Sequence, residues 1–235
     1  MKTPFALIGS YKVTMWGERV RLWVILLSIV VTCVLLVEYT ADFHGEGYIV
    51  GPDGLVVPVA DGFDFPVGNR DGEGWIISGY AFLEWSYHSN SWHPGEDWNT
   101  IEGNDFGLPV YAVAHGRVID SVWNSAMGHI VHIEHVLPDG SQLYSQYAHL
   151  NERHVEEGEI VYRRQRIGTI GAGPRGRFAP HLHFELRTEK LAPNAWPKTG
   201  GQAWGLDEVL NYWINPSEFI AAHRPPAHSV LPGYY

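Results

Sequence analysis

The chain has 235 residues, 16 basic and 26 acidic side chains, thirteen His and a single Cys. That length fits one catalytic-size domain with extensions. One Cys excludes an internal disulfide framework and any Cys-rich zinc module, and the acidic balance argues against nucleic acid as a partner, because phosphate binding needs clustered Lys and Arg. The surplus of His is the unusual term, since neutral imidazole serves both as general base and as the commonest zinc ligand.

The first element is apolar. Leu22 to Val37 (LWVILLSIVVTCVLLV) carries no charge and spans about 24 Å as a helix at ~1.5 Å per residue. Lys2, Lys12, Arg19 and Arg21 precede it against only Glu18, while Glu38 and Asp42 follow it. The asymmetry predicts a cytoplasmic tail over 1–21, a transmembrane signal anchor over 22–38 and an exported remainder. A cleaved signal peptide, and so a secreted protein, is the rival reading. The best A-x-A-type site ends at Ala41 behind bulky Tyr39, a poor match. Four of the 16 basic and two of the 26 acidic residues lie in the first 38, which leaves 12 and 24 in the exported part.

Residues 39–74, rich in Gly, Asp and Pro, read as a linker with one or two short extended pieces, not as a domain. From Trp75 onward, strand-length apolar runs alternate with turn signals: PVYAVA, GRVIDSVW, HIVHIEHV, SQLYSQYAHL, IGTIGAG and HLHFEL. This pattern predicts a mainly β, antiparallel domain over 75–190, with a hairpin turn at PDG 138–140. A C-terminal extension over 191–235 follows. In it Asp207–Trp213 reads as a short helix, and Asn215-Pro216 as the N-cap and first residue of a second.

Within the β domain three fragments carry chemistry. HLHFE at 181–185 reads as a strand, and side chains two apart on a strand share a face, so His181 and His183 point into one site. HPGED at 93–97 sets His93 and Asp97 four apart across a forced turn, an N donor and an O donor of kinds zinc accepts. YAHL ends a further strand-like run on His149. Gly171, Gly173 and Gly176 do not form a phosphate loop, since the segment leads into a strand and no Lys-Ser/Thr follows.

HPGED, GLPVYAVAHGRV, YAHL, the V-x-x-G-x-x-V of Val155–Val161 and IGTIGAGPRGRFAPHLHFEL, in that order and spacing, resemble the lysostaphin-type (LytM, β-lytic) zinc metallopeptidases, peptidoglycan endopeptidases, over about residues 75–187. The resemblance implies a small antiparallel β fold with a groove across one zinc ion. It implies His93, Asp97 and His183 as zinc ligands and a fourth position left open to water, as in catalytic sites. It also implies that His149 and His181 flank that water, and it points to Tyr87 as a further oxyanion-stabilising group. Either imidazole can take the water's proton while the other stabilises the oxyanion; His181 is read as the base and His149 as the stabiliser. Peptidoglycan is the implied substrate, cut in its stem peptides or cross-bridges. The alternative is a LytM-like protein that activates other wall hydrolases without catalysis; such relatives lack zinc ligands, whereas all five positions are filled here.

The other His residues are read without a special role. His129, His132 and His135 fall on a strand and split between its faces, His115 is read as a solvated turn residue, and His44, His88, His154, His223 and His228 as surface residues. Trp85, Trp92, Trp98 and Trp123 are read either as core or as the lining of a groove for sugar or peptide.

Overall fold

A computed structural model describes residues 47–50 and 54–225. The expected membrane anchor, the N-terminal tail, Cys33, His44 and His228 lie outside the described residues, and among those described no helix is long and apolar enough to cross a membrane.

The alternating runs form one antiparallel ten-stranded sheet. Its strands are β1 (Trp75–Ile77), β2 (Glu96–Thr100), β3 (Pro109–Tyr111), β4 (Gly116–Asn124), β5 (Gly128–Val136), β6 (Gln142–Arg153), β7 (Ile160–Val161), β8 (Arg166–Ile170), β9 (Leu182–Arg187) and β10 (Trp213–Ile214). The order is β7-β4-β5-β6-β9-β2-β1, while β8 pairs with both β6 and β3, and β10 joins β9. The PDG turn behaves as the sequence predicts: the Gly140 amide donates to the Leu137 carbonyl, Gly140 takes φ +84°, and β5 and β6 pair antiparallel on either side. A positive φ there is free of strain only for glycine. The core gathers Val110, Val131, Ile133, Tyr147, Ile167, Leu182, Phe184 and Leu186 from one face of these strands.

Two boundaries differ from the sequence reading. The stretch expected as a linker with one or two short extended pieces is, in part, packed into the core. Ala60, Phe63 and Val67 are buried in the main core, and Asp64, fully buried, accepts ion pairs from Arg70, Arg163 and Arg224 at 3.0, 3.3 and 3.0 Å. A buried carboxylate needs such partners to offset its desolvation. Its spacing within a Gly- and Pro-rich run gave no periodic signal. In the C-terminal extension, α1 covers only Leu206–Leu210. Trp213 instead enters β10, opposite Arg187, and is fully buried. The second helix, α2 (Pro216–Ala222), starts as expected, with the Asn215 side chain accepting from the Glu218 amide at 3.1 Å.

Candidate metal centre and active site

The register of β9 builds the centre. His183 lies directly opposite Asp97 on β2 and opposite Ala148 on β6, so two neighbouring strands deliver their side chains to one point. The HPGE turn then folds His93 back over Asp97. Gly95 is required for this, since a Cβ there would lie 2.3 Å from the Phe184 carbonyl oxygen. Gly79 makes a similar approach, its Cβ position being 2.5 Å from the Asp97 Cβ. Beside it, the Tyr80 amide donates to Asp97 Oδ2 at 3.2 Å, which leaves Oδ1 facing the histidines.

Three donor atoms form a nearly equilateral triangle. His93 Nε2 and His183 Nδ1 are 3.0 Å apart, His183 Nδ1 and Asp97 Oδ1 3.0 Å, and His93 Nε2 and Asp97 Oδ1 3.3 Å. All three residues are buried. Donors around a tetrahedral zinc with bonds of 2.0–2.1 Å are separated by about 3.3 Å.

The proton positions test the fit, being assigned from each ring's partners. His93 Nδ1–H donates to the Gly95 carbonyl at 2.7 Å, and His183 Nε2–H donates to Glu185 Oε1 at 2.8 Å. Both inward nitrogens of the neutral rings therefore carry lone pairs, and they face each other and a carboxylate. Such a cluster repels itself unless a cation sits among its members. In the metal-free protein a proton takes that place. Burial opposes a charged His183, but its hydrogen bonds with Asp97 and Glu185 outweigh that and raise its pKa to about 9. Burial likewise opposes the charge on Asp97, yet His93 and His183 hold that carboxyl well below the usual range. The residues present thus fit a divalent metal such as zinc.

Glu185 orients the central ligand and is itself held on every side. It accepts from Arg187 Nε at 2.7 Å, Trp213 Nε1 at 2.6 Å and Gln146 Nε2 at 3.1 Å, all fully buried. Burial alone raises a carboxyl pKa, but Arg187 and His183 bring this one down to about 2. A carboxylate behind a ligating His fixes both its tautomer and its ring orientation. Neither Glu185 nor Trp213 emerged from the sequence: Glu185 was in view only as the last letter of HLHFE, and Trp213 was expected in a helix.

His149 and His181 flank the triangle. His149 sits at a break in the β5–β6 register with φ +62°, a conformation that costs a non-glycine residue and is concentrated at functional sites. The backbone turn brings its ring to 4.8 Å from that of His181 and 5.6 Å from that of His183. Its Nδ1–H donates to the Met127 carbonyl at 2.8 Å, leaving Nε2 as a lone pair. Burial first, then His183 and His181, push its pKa down to about 3. His181 Nδ1–H donates to the Ala179 carbonyl at 2.7 Å, and its Nε2 lies 3.5 Å from Asp97 Oδ1.

These five side chains open onto a cavity of about 390 Å³, also lined by Tyr80, Met127, Phe178 and Trp196. Tyr87 is not brought to it. Tyr87 is 86% exposed, at the end of the short ribbon pairing Trp85–Ser86 with Ser91–Trp92. Neighbouring strand residues face opposite ways, so buried Ser86 lines the cavity and Tyr87 points to solvent. Tyr80 is the tyrosine at the site, its ring 5.5 Å from that of His93. Trp196 was also missed; its ring lies 5.6 Å from that of His183.

Most other expectations divide by burial. Trp98 is core, Trp85 and Trp92 meet edge-on across their ribbon, and Trp123 is 53% exposed. His132 and His135 split between the faces of β5 as expected, yet both are buried, on Asp120 and on the His115 carbonyl and Ser145. His115 is not solvated. It is 5% exposed, its Nδ1 accepts from the Arg163 amide at 3.0 Å, and burial lowers its pKa to about 4. Its turn is covered by the residues expected as linker. His88 is exposed but lines the cavity.

A donor triangle of Asp97 and His183 on adjacent antiparallel strands and His93 on the turn before β2, with two more His at its edge and an open cavity above, defines a candidate mononuclear metallohydrolase centre. Residues 91–195 match the model of Peptidase family M23, so that segment is an M23-type peptidase domain. The chain is 36% identical over 93 residues to the peptidoglycan DD-endopeptidase ShyC of Vibrio cholerae, covering 40% of this chain and 20% of that protein. It is 34% identical over 97 residues to the L-Ala–D-Glu endopeptidase of Bacillus subtilis, covering 36% and 28%. To the murein hydrolase activator EnvC of Escherichia coli it is 35% identical over 101 residues, covering 43% and 23%. The chain thus spans about a quarter of these curated relatives' length.

Proposed function

We propose that this protein is a zinc-dependent endopeptidase that hydrolyses peptide bonds of peptidoglycan, anchored in the membrane through residues 22–38 with its M23 domain on the wall side. The observation that carries the reading is the triangle of His93 Nε2, His183 Nδ1 and Asp97 Oδ1, with both histidines' remaining N–H groups already committed. The relative ShyC, named as a peptidoglycan DD-endopeptidase, supplies the substrate class.

In this reading His93, Asp97 and His183 hold the zinc. When bound, zinc supplies Lewis-acid polarisation of the scissile carbonyl and activation of water. The chain's own groups do the rest. His181 Nε2, anchored through Nδ1 and partly open to the cavity, accepts the proton from the attacking water. His149 Nε2 also presents a lone pair. Donation to an oxyanion from that atom needs a second proton on the ring, which burial and the neighbouring histidines oppose. His149 is therefore better placed to accept a hydrogen bond and orient the water than to stabilise an oxyanion. Tyr80, Phe178 and Trp196 wall the cavity and limit solvent around the reacting bond.

The test is release of soluble peptide fragments from purified peptidoglycan by zinc-loaded full chain, with and without a chelator. Chelator-sensitive release supports the enzyme. Tight zinc binding with no release, together with stimulation of a separate wall hydrolase, would move the reading to an activator like the relative EnvC.

A further inference from the structure

Beside the metal cavity lies a second one, of about 420 Å³, lined by Trp123, Ser125, Pro174, Arg175 and Arg177. Arg177 borders both. The charge of this region inverts that of the chain. The whole protein has 26 acidic against 16 basic side chains, yet the two linings hold Arg175, Arg177 and Lys198 against one carboxylate, Asp97, which faces the histidines. Among the described residues neither Arg175 nor Arg177 pairs with a carboxylate; Arg177 lies 5.7 Å from the centre of the Phe178 ring, and Phe178 packs at 4.6 Å against His149.

Both arginines are exposed but the loop beneath them is built. Gly128, at the tip of the β4–β5 hairpin, sits so close that its Cβ position is 3.2 Å from the Gly173 backbone. Gly173 and Gly176 take φ +67° and +68°, and Arg175 itself φ +59°, which is rare for a long side chain. The Phe178 amide closes the loop on the Ala172 carbonyl at 2.9 Å. The same hairpin carries Met127, whose carbonyl anchors His149. Trp123, 53% exposed on that hairpin, adds a flat apolar face next to the two guanidinium groups. A planar, unpaired guanidinium is matched to a carboxylate, which it binds bidentately.

We infer that Trp123, Arg175 and Arg177 form a substrate subsite that binds a free carboxylate of the peptide, with the peptide lying on the Trp123 ring. This rests on the peptidase reading for the direction of the substrate, but it predicts binding even where no bond is cut. It assigns to this chain a preference for anionic peptides over their amidated counterparts.

The experiment uses the full chain in detergent micelles and a pair of dye-labelled peptides differing only in whether two carboxylates are free or amidated. Binding is read by fluorescence anisotropy on metal-free protein, and cleavage is read separately on zinc-loaded protein. The free acid is expected to bind about tenfold tighter, with the margin shrinking as ionic strength rises. Arg177→Gln and Arg175→Gln should bring the ratio towards one, Arg→Lys should keep part of it, and Trp123→Ala should weaken both peptides alike. Equal binding of the two peptides by the parent, or an unchanged ratio in the Gln variants, would overturn the subsite. Preference in binding with no cleavage of either peptide would uphold the subsite and remove the endopeptidase. Cleavage of both at equal efficiency with equal affinity would do the reverse.

Discussion

Glu185→Gln separates a structural carboxylate from one that serves the metal centre. Glu185 is fully buried and accepts four hydrogen bonds, from His183, Gln146, Arg187 and Trp213. A glutamine of the same shape has one oxygen and one NH₂, so whichever way it lies, two N–H donors face another donor. It also removes the charge that balances Arg187, itself 0% exposed. Breaking a buried pair by deleting one charge costs about 3–5 kcal/mol. Separately, losing the partner behind a ligating histidine lowers metal affinity about 10- to 100-fold. The two effects are told apart by a second variant. Glu185→Gln combined with Arg187→Met removes both charges, so the urea-unfolding stability of the metal-free chain should recover substantially, while zinc affinity, measured by competition with a chromophoric chelator, should stay reduced. Zinc affinity equal to the parent's in both variants would refute the orienting role. A parent-like unfolding midpoint in Glu185→Gln alone would refute the buried pairing.

Other perturbations probe different parts of the account. Gly79→Ala places a methyl 2.5 Å from Asp97 Cβ, so the Asp97 side chain must shift; the change should weaken zinc binding at least tenfold with little change in secondary structure, as read by chelator competition and circular dichroism. His115 and His135 have folded pKa values lowered to about 4 from 6.5, burial being the first cause in each. Because the unfolded chain takes up these protons first, their contribution is fully present above pH 6.5 and is lost as pH falls from 6.5 to about 4. It should amount to about 3 kcal/mol for each, visible as a falling denaturation midpoint over that interval. Tyr87→Phe should change peptidoglycan turnover by less than about twofold, since its side chain lies in solvent, whereas a loss above tenfold would restore Tyr87 to the site.

How far the sequence carried depended on whether a signal was local. The H-x-H pair that leads into β9 and the H-x-x-x-D turn are short-range patterns whose side-chain directions follow from strand and turn geometry, and His149 came from the family's order of motifs. The PDG hairpin and the Asn215-Pro216 helix start were legible for the same reason. What stayed hidden was set by distant pairings. Trp213 reaches Glu185 across 28 residues, and Trp196 approaches His183 from the segment after β9. Asp64 is defined by arginines as far away as Arg224. His115 looks like a loop residue until residues from the apparent linker cover it. Tyr87 failed in the opposite way, because its nearness in sequence to His93 does not survive the outward turn of the Trp85–Trp92 ribbon.

The central claim is that the His93, Asp97 and His183 triangle, loaded with zinc, cuts peptide bonds in the wall polymer. Mass spectrometry of the fragments released from purified peptidoglycan by the zinc-loaded full chain tests it most directly. The account predicts products with new amino and carboxyl termini, each formed by addition of one water across a peptide bond, absent after chelation, restored by zinc and absent with His183→Ala. Intact peptides from the zinc-loaded chain, or the same products from His183→Ala, would contradict it.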